Sequence, residues 1–207
     1  MMFIQAENLG KRFKRNWVFR NLNFNVEPGS CFVLLGNNGS GKSTLAQLLL
    51  GYSSANEGSI SFSIGNNSIP RENLALKSSF CAPYSELYEQ LTLKECLTYH
   101  LQFRELSNRL SPESLIELAY LNGEENKQIQ HFSSGMKQRL KLALSICTVS
   151  DLLILDEPCS NLDKQAIAWY RDLLGKFRNN RTLVIATNDI ENDVLEQETV
   201  IKLSLNK

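Results

Sequence analysis

The apolar positions of this chain change rhythm twice. Short runs suited to strands open and close it, and a stretch at helical spacing, from about Leu87 to Lys127, lies between them. At the start, Phe3–Leu9 alternates loosely, while Val18–Val26 alternates better, with Leu22, Phe24 and Val26 on one face; the two predict antiparallel strands. Glu27-Pro28-Gly29-Ser30 reads as a turn into Cys31–Leu35, a continuous apolar run of the kind a strand buried on both faces needs. Leu45, Leu48 and Leu49 then take helical spacing, and Gly51 is placed to end that helix. Ser59–Ile64 alternates cleanly up to the hairpin signal Gly65-Asn66-Asn67, so it is expected to pair with the N-terminal strands.

In the middle, Thr92-Leu93-Lys94-Glu95 is a capping box ahead of Leu93, Leu97 and Leu101, and Ser111-Pro112 starts another helix. Past Ser133, Met136, Leu140, Ala143, Leu144 and Cys147 form one face of a long helix. Asp151–Asp156 is an apolar strand ending in the carboxylates Asp156 and Glu157. A helix from about Lys164 to Phe177, a buried strand Thr182–Thr187 and a closing strand Thr199–Leu203 follow. The basic run Lys11, Arg12, Lys14 and Arg15, with Phe13 and Trp17 in it, reads as the solvated end of the first hairpin.

The totals exclude more than they assign. A chain of 207 residues can bury a core without disulfides or metals to staple it. Its formal net charge of zero argues against bulk electrostatic binding, so no nucleic acid is expected as a partner. Five scattered cysteines, with no C-x-x-C pair, suggest core residues in a reducing, cytosolic setting. His100 has no ligand-spaced companion and is expected to be structural. The first residues lack the features of a signal peptide, and no window approaches about 20 apolar residues, so membrane association is expected only through a partner.

Candidate chemistry centres on Gly36-Asn37-Asn38-Gly39-Ser40-Gly41-Lys42-Ser43-Thr44, which fits G-x-x-x-x-G-K-[ST]. Strand, glycine loop and helix come in the order that sets an anion at a helix N-terminus. The glycines let N–H groups turn inward, Lys42 would reach β- and γ-phosphates, and the Ser43 hydroxyl would ligate Mg²⁺. Asp156, at the end of a buried strand, suits a hard cation that wants oxygen. Glu157 could orient and deprotonate an attacking water. A nucleoside triphosphate with Mg²⁺ is the expected ligand.

Two further segments carry a resemblance. Phe132-Ser133-Ser134-Gly135-Met136, followed by Lys137-Gln138-Arg139, resembles the LSGGQ-x-QR signature of ATP-binding cassette (ABC) ATPases, and Ser160-Asn161-Leu162-Asp163 resembles their D-loop. On these motifs, in this order with the phosphate loop and the carboxylates, the chain is identified as a member of that family. The resemblance implies an α/β fold: a P-loop NTPase core with a mostly parallel sheet, an N-terminal antiparallel β-subdomain and an inserted α-helical subdomain. Residues 1–84 and 140–207 would form the core and 85–139 the helical subdomain. It also implies a head-to-tail dimer, with itself or with another ABC ATPase, in which Ser133, Ser134 and Gly135 of one subunit close on the ATP held by the other. Asp163 would join the nucleotide site, and Phe13 lies where the family stacks an aromatic on adenine, with Trp17 as the alternative.

Two positions depart from the family pattern. Where it has a glutamine before the helical insert, Phe80-Cys81-Ala82-Pro83-Tyr84-Ser85 offers Pro83 or Tyr84. Where it has a Thr-His pair after the last core strand, the chain reads Thr187-Asn188-Asp189; the Asn188 amide can donate to a γ-phosphate but cannot carry charge. The leading expectation is therefore a Mg²⁺-dependent ATPase subunit, peripheral on the cytoplasmic face of a membrane, driving a separate transmembrane permease. In length it is most similar to small exporter ATPases, including the haem-exporter type, without an appended regulatory domain. The alternatives are an ABC ATPase working outside transport and an ATP-binding switch with little hydrolysis. Tyr88, Leu91 and Leu97 are candidates for docking the permease by position only, with ordinary packing as the leading reading.

Overall fold

A computed structural model describes residues 1–178, 180–195 and 199–202. The strands form two sheets. One is antiparallel, in the order β2 (Asn16–Val26), β1 (Phe3–Phe13), β4 (Glu57–Ile64), β5 (Asn67–Ser68). The other runs β6 (Ser78–Cys81), β7 (Leu152–Asp156), β8 (Thr182–Thr187), β3 (Cys31–Leu35), β9 (Thr199–Lys202). In it, β7 with β8, β8 with β3 and β3 with β9 pair in parallel. The mixed α/β class, with a parallel and an antiparallel sheet, is as expected. Leu203, at the end of the expected closing strand, lies outside the described residues.

The loose alternation of the first strand has a physical cause. The β1–β2 register shifts between Ala6 and Leu9, between Leu9 and Lys11, and between Lys11 and Arg12, and Asn8 takes a φ of 48°. These irregularities add unpaired residues and turn Leu9, Gly10 and Lys11 inward in succession. Both strands also run further than their apolar pattern, so the basic run is mostly strand and the turn itself is Lys14-Arg15. As expected, β4 pairs with β1 and turns back into β5.

By contact density the chain divides into two units. The first holds Met1–Phe80, Ser150–Glu157 and the chain from Asn180 onward; the second holds Cys81–Val149 and Pro158–Asn179. The core of the first lies between its two sheets, where Phe24 of β2 stacks on Phe32 of β3 with ring centroids 5.0 Å apart. Strands β3, β7 and β8 are buried almost throughout, which is why they read as unbroken apolar runs. Helix α1 (Lys42–Leu49) buries Leu45, Leu48 and Leu49 in that core. It ends on Gly51, at φ +76°, where the N–H groups of Gly51 and Tyr52 donate to Leu48 O and Gln47 O. Two short helices, α2 (Leu74–Lys77) and, further along, α7 (Ile190–Asp193), have no periodic signal in the sequence.

The second unit is helical. Its α3 (Leu93–Leu101) starts on the Thr92–Glu95 capping box, with both reciprocal bonds formed, and α4 (Pro112–Leu118) starts on Ser111. Helix α5 (Ser134–Cys147) differs from the one-faced helix its sequence suggests. Leu142, Ser145 and Ile146 are buried as well, because α5 packs against both α4 and α6 (Lys164–Phe177). The indole N–H of Trp169 on α6 donates to Leu118 O (2.6 Å), and Arg139 Nε of α5 donates to Ala119 O (3.1 Å). His100 is structural, as expected: its Nε2 lies 2.8 Å from Thr148 Oγ1. Among the described residues no helix is long and apolar enough to cross a membrane.

Candidate nucleotide site

Parallel register aligns the chemistry. Leu35 of β3 pairs with Thr187 of β8, and Asp156 of β7 pairs with Ala186 of β8, so three strands end at one level at their carboxyl ends. The loop after β3, the carboxylates after β7 and Asn188 after β8 therefore share one crevice, the usual place for ligands on an open parallel sheet.

Within the loop, Gly36 N–H donates to Thr187 O (3.2 Å) and Ser40 N–H to Asn37 O (3.1 Å). Gly41 takes φ +98°, and a Cβ there would lie 2.5 Å from Val18 Cγ1, so the close approach of β2 needs a glycine. No side chain caps α1 behind it, which leaves the positive end of the helix open to an anion. The Ser40 hydroxyl is buried with no hydrogen-bond partner among the described residues. These features fit a phosphate group: an open helix N-terminus and an orphaned hydroxyl.

Lys42 is 4% exposed and turns back on its own loop, donating to Gly36 O (2.9 Å) and Asn37 O (3.3 Å). Its ammonium also sits 3.6 Å from Glu157 Oε1. Glu157 is a non-glycine residue at φ +46°, held there by its N–H donating to Ala186 O (2.8 Å). Such a conformation costs about 1–3 kcal/mol and gathers at functional sites. Asp156 is buried at 1% exposure, and with the half-buried Ser43 it offers carboxylate and hydroxyl oxygens, the donor types Mg²⁺ prefers.

Asn188 is exposed, and its Nδ2 donates to Asn38 Oδ1 (3.2 Å) across 150 residues of sequence. Behind it, Thr187 Oγ1 donates to the buried Asp193 Oδ2 while accepting from Asp189 N–H (2.7 Å). Sequence reasoning missed Asp193, for which no motif gave a signal. At the end of β1, Phe13 is 54% exposed, and the Lys11 ammonium lies 5.3 Å from its ring centroid. Lys11 itself is buried and donates to Ser54 O (2.7 Å), so the basic run is not wholly solvated. Trp17 has Arg12 and Arg20 guanidinium groups over its ring, at 5.3 and 4.7 Å. Phe13 is thus the aromatic with more open surface.

The remaining candidates belong to the second unit. Ser133 caps α5, its hydroxyl accepting from Met136 N–H (3.2 Å), and Ser134 is exposed beside it. Nothing lies nearer than 3.9 Å to a Cβ built on Gly135. The Asp163 carboxylate caps α6, accepting from Ala166 N–H (2.8 Å). The Lys141 ammonium donates to Ala82 O (3.2 Å) and Pro83 O (3.3 Å), and Tyr84 is 46% exposed. Neither Pro83 nor Tyr84 supplies the amide of a glutamine.

The ABC transporter family model matches residues 19–160. The chain belongs to this family. Nod factor export ATP-binding protein I of Rhizobium etli is 32% identical over 197 residues, covering 92% of this chain and 62% of that protein. This ABC chain therefore spans less than two thirds of that relative's length. Among solved structures, the ATP-binding subunit of an ABC transporter superposes with a TM-score of 0.81 at 24% identity, covering 97% of this chain and 85% of that one. A dimeric bacterial ABC transporter cassette gives 0.80 at 22% identity, covering 97% and 94%. These two likenesses establish the ABC cassette fold. The family binds ATP, and its members are ATPases.

Proposed function

We propose that this ABC chain is the ATP-binding and ATP-hydrolysing subunit of a transporter, driving a separate membrane-spanning subunit. The observation that carries the reading is the meeting of Lys42 and Glu157, 3.6 Å apart, at the carboxyl ends of β3 and β7. With ATP in the loop, phosphate oxygens replace Gly36 O and Asn37 O as partners of Lys42. The ammonium then leaves Glu157, whose carboxylate is freed to take a proton from water attacking the γ-phosphorus. The bond from that phosphorus to the bridging oxygen breaks, and ADP and phosphate result. Asn188 donates to the γ-phosphate as a neutral amide. Mg²⁺, for which Ser43 and Asp156 are suitable donors, would neutralise charge on the β- and γ-phosphates.

The ring of Phe13 offers a face for adenine. Ser133, Ser134 and Gly135, at an exposed helix N-terminus, suit the γ-phosphate of a second cassette bound head to tail, a copy of this chain or another ABC ATPase, and Asp163 would lie at that junction. Such a subunit works peripherally, on the cytoplasmic face of a membrane. The relative named for Nod factor export favours export.

The test is steady-state phosphate release with Mg²⁺-ATP by the wild type beside Lys42→Ala, Glu157→Gln and Asn188→His. The expected result is turnover that both Lys42→Ala and Glu157→Gln abolish, with Glu157→Gln still binding ATP and accumulating as a dimer. Unchanged turnover in Glu157→Gln would remove that residue from the role of base. A second reading, an ATP-binding switch, is favoured by Asn188 and by Pro83-Tyr84. Tight ATP binding without turnover, restored by Asn188→His, would select it.

A further inference from the structure

The Asn188–Asn38 contact joins the turn after β8 to the tip of the phosphate loop, and neither amide has a role in the reaction that requires the other. We infer that Asn38 is a positioning residue: its side chain holds Asn188 so that the site distinguishes a triphosphate from a diphosphate. This rests on the nucleotide reading above.

The argument is one of donors and geometry. An asparagine amide nitrogen carries two N–H groups. One N–H of Asn188 is spent on Asn38 Oδ1 at 3.2 Å. The bond fixes the nitrogen, rather than the carbonyl oxygen, on the side of the loop. It leaves the second N–H of Asn188 for the donation to a γ-phosphate assigned to it above, a donation that a diphosphate has no group to accept. A histidine here would be oriented by its ring and carry its own charge; an exposed asparagine has neither and would swing about χ1 and χ2. Its backbone is held from behind, since Thr187 Oγ1 bridges the Asp189 N–H and the buried Asp193 carboxylate. Only the side chain remains to be fixed, and Asn38 fixes it. Both residues are exposed, so removing either leaves the core intact.

The experiment is calorimetric titration with Mg²⁺-ADP and with the Mg²⁺ complex of the non-hydrolysable β,γ-imido analogue of ATP. Wild type, Asn38→Ala, Asn188→Ala, the double variant and Lys42→Ala are compared, and the readout is the affinity ratio of the two ligands. A hydrogen bond to a charged oxygen contributes roughly a ten- to hundredfold preference for the triphosphate. Asn188→Ala is expected to lower the ratio by that factor, Asn38→Ala to lower it by most of that factor, and the double variant to lose no more than Asn188→Ala. An intact ratio in Asn38→Ala, or losses that multiply in the double variant, would overturn the inference while leaving nucleotide binding in place. A wild type that binds neither ligand, or a Lys42→Ala protein that binds both as tightly, would overturn the nucleotide reading and the inference together.

Discussion

Gly41 allows the structure to be tested quantitatively, because two separable costs fall on one added methyl group. A Gly41→Ala side chain would have to accept φ +98° and place its Cβ 2.5 Å from Val18 Cγ1 and 3.3 Å from Phe19 Cδ1. The left-handed backbone costs an L-residue roughly 1–2 kcal/mol. An overlap of more than an ångström with a β-branched side chain, which has no flexible end to move aside, adds about 1–3 kcal/mol. Less the gain of about 0.4–1 kcal/mol from a stiffer unfolded chain, the sum is about 1–5 kcal/mol. Gly39 is the internal control: its φ is +80°, and nothing lies within 4 Å of its added Cβ. Gly39→Ala should therefore cost the backbone part alone, about 1 kcal/mol after the gain from a stiffer unfolded chain. Urea unfolding followed by the fluorescence of Trp17 and Trp169, one in each unit, measures the difference. Val18→Ala removes the clashing methyl, so Gly41→Ala should cost about 1–3 kcal/mol less in that background. Equal costs at residues 39 and 41, or no relief from Val18→Ala, would refute the packing described around the loop.

Three further tests address the helical unit. Thr92→Ala removes the capping box of α3 and should cost about 1 kcal/mol in urea unfolding. Its effect should shrink as pH falls through the Glu95 range. Hydrogen bonds from Thr92, backbone first and then hydroxyl, hold that carboxyl below its usual value, so its contribution is present above about pH 4.5 and lost on protonation. His100 is lowered from its usual value by burial and then by Arg104, so the folded protein resists its protonation. Thr148 Oγ1 already donates to Leu144 O (2.6 Å), so it accepts from a neutral Nε2–H. Stability should therefore fall as pH drops below about 6.5, where the unfolded chain takes the proton first, and His100→Gln should flatten that fall in pH-dependent melting curves. Trp169→Phe leaves Leu118 O without its indole donor and should cost about 1–3 kcal/mol, read as a lower urea midpoint.

What the sequence by itself determined is local. The phosphate loop between an apolar run and a helical repeat, the carboxylates ending another apolar run, and the caps at Thr92, Ser111 and Gly51 all depend on neighbours a few residues apart. Sterics and hydrogen bonding settle such features almost independently of the rest of the chain. The long strand β1 was only half legible, because shifts of register near Asn8 break the period of two on which the reading depends. Tertiary structure alone decided the strand order β6-β7-β8-β3-β9 and the register that levels Leu35, Asp156 and Thr187. It alone brought Lys42 to Glu157, Asn188 to Asn38 and Asp193 beneath Thr187. The reason is physical: pairings between distant segments are set by the joint packing of several elements, and no window of sequence contains that information.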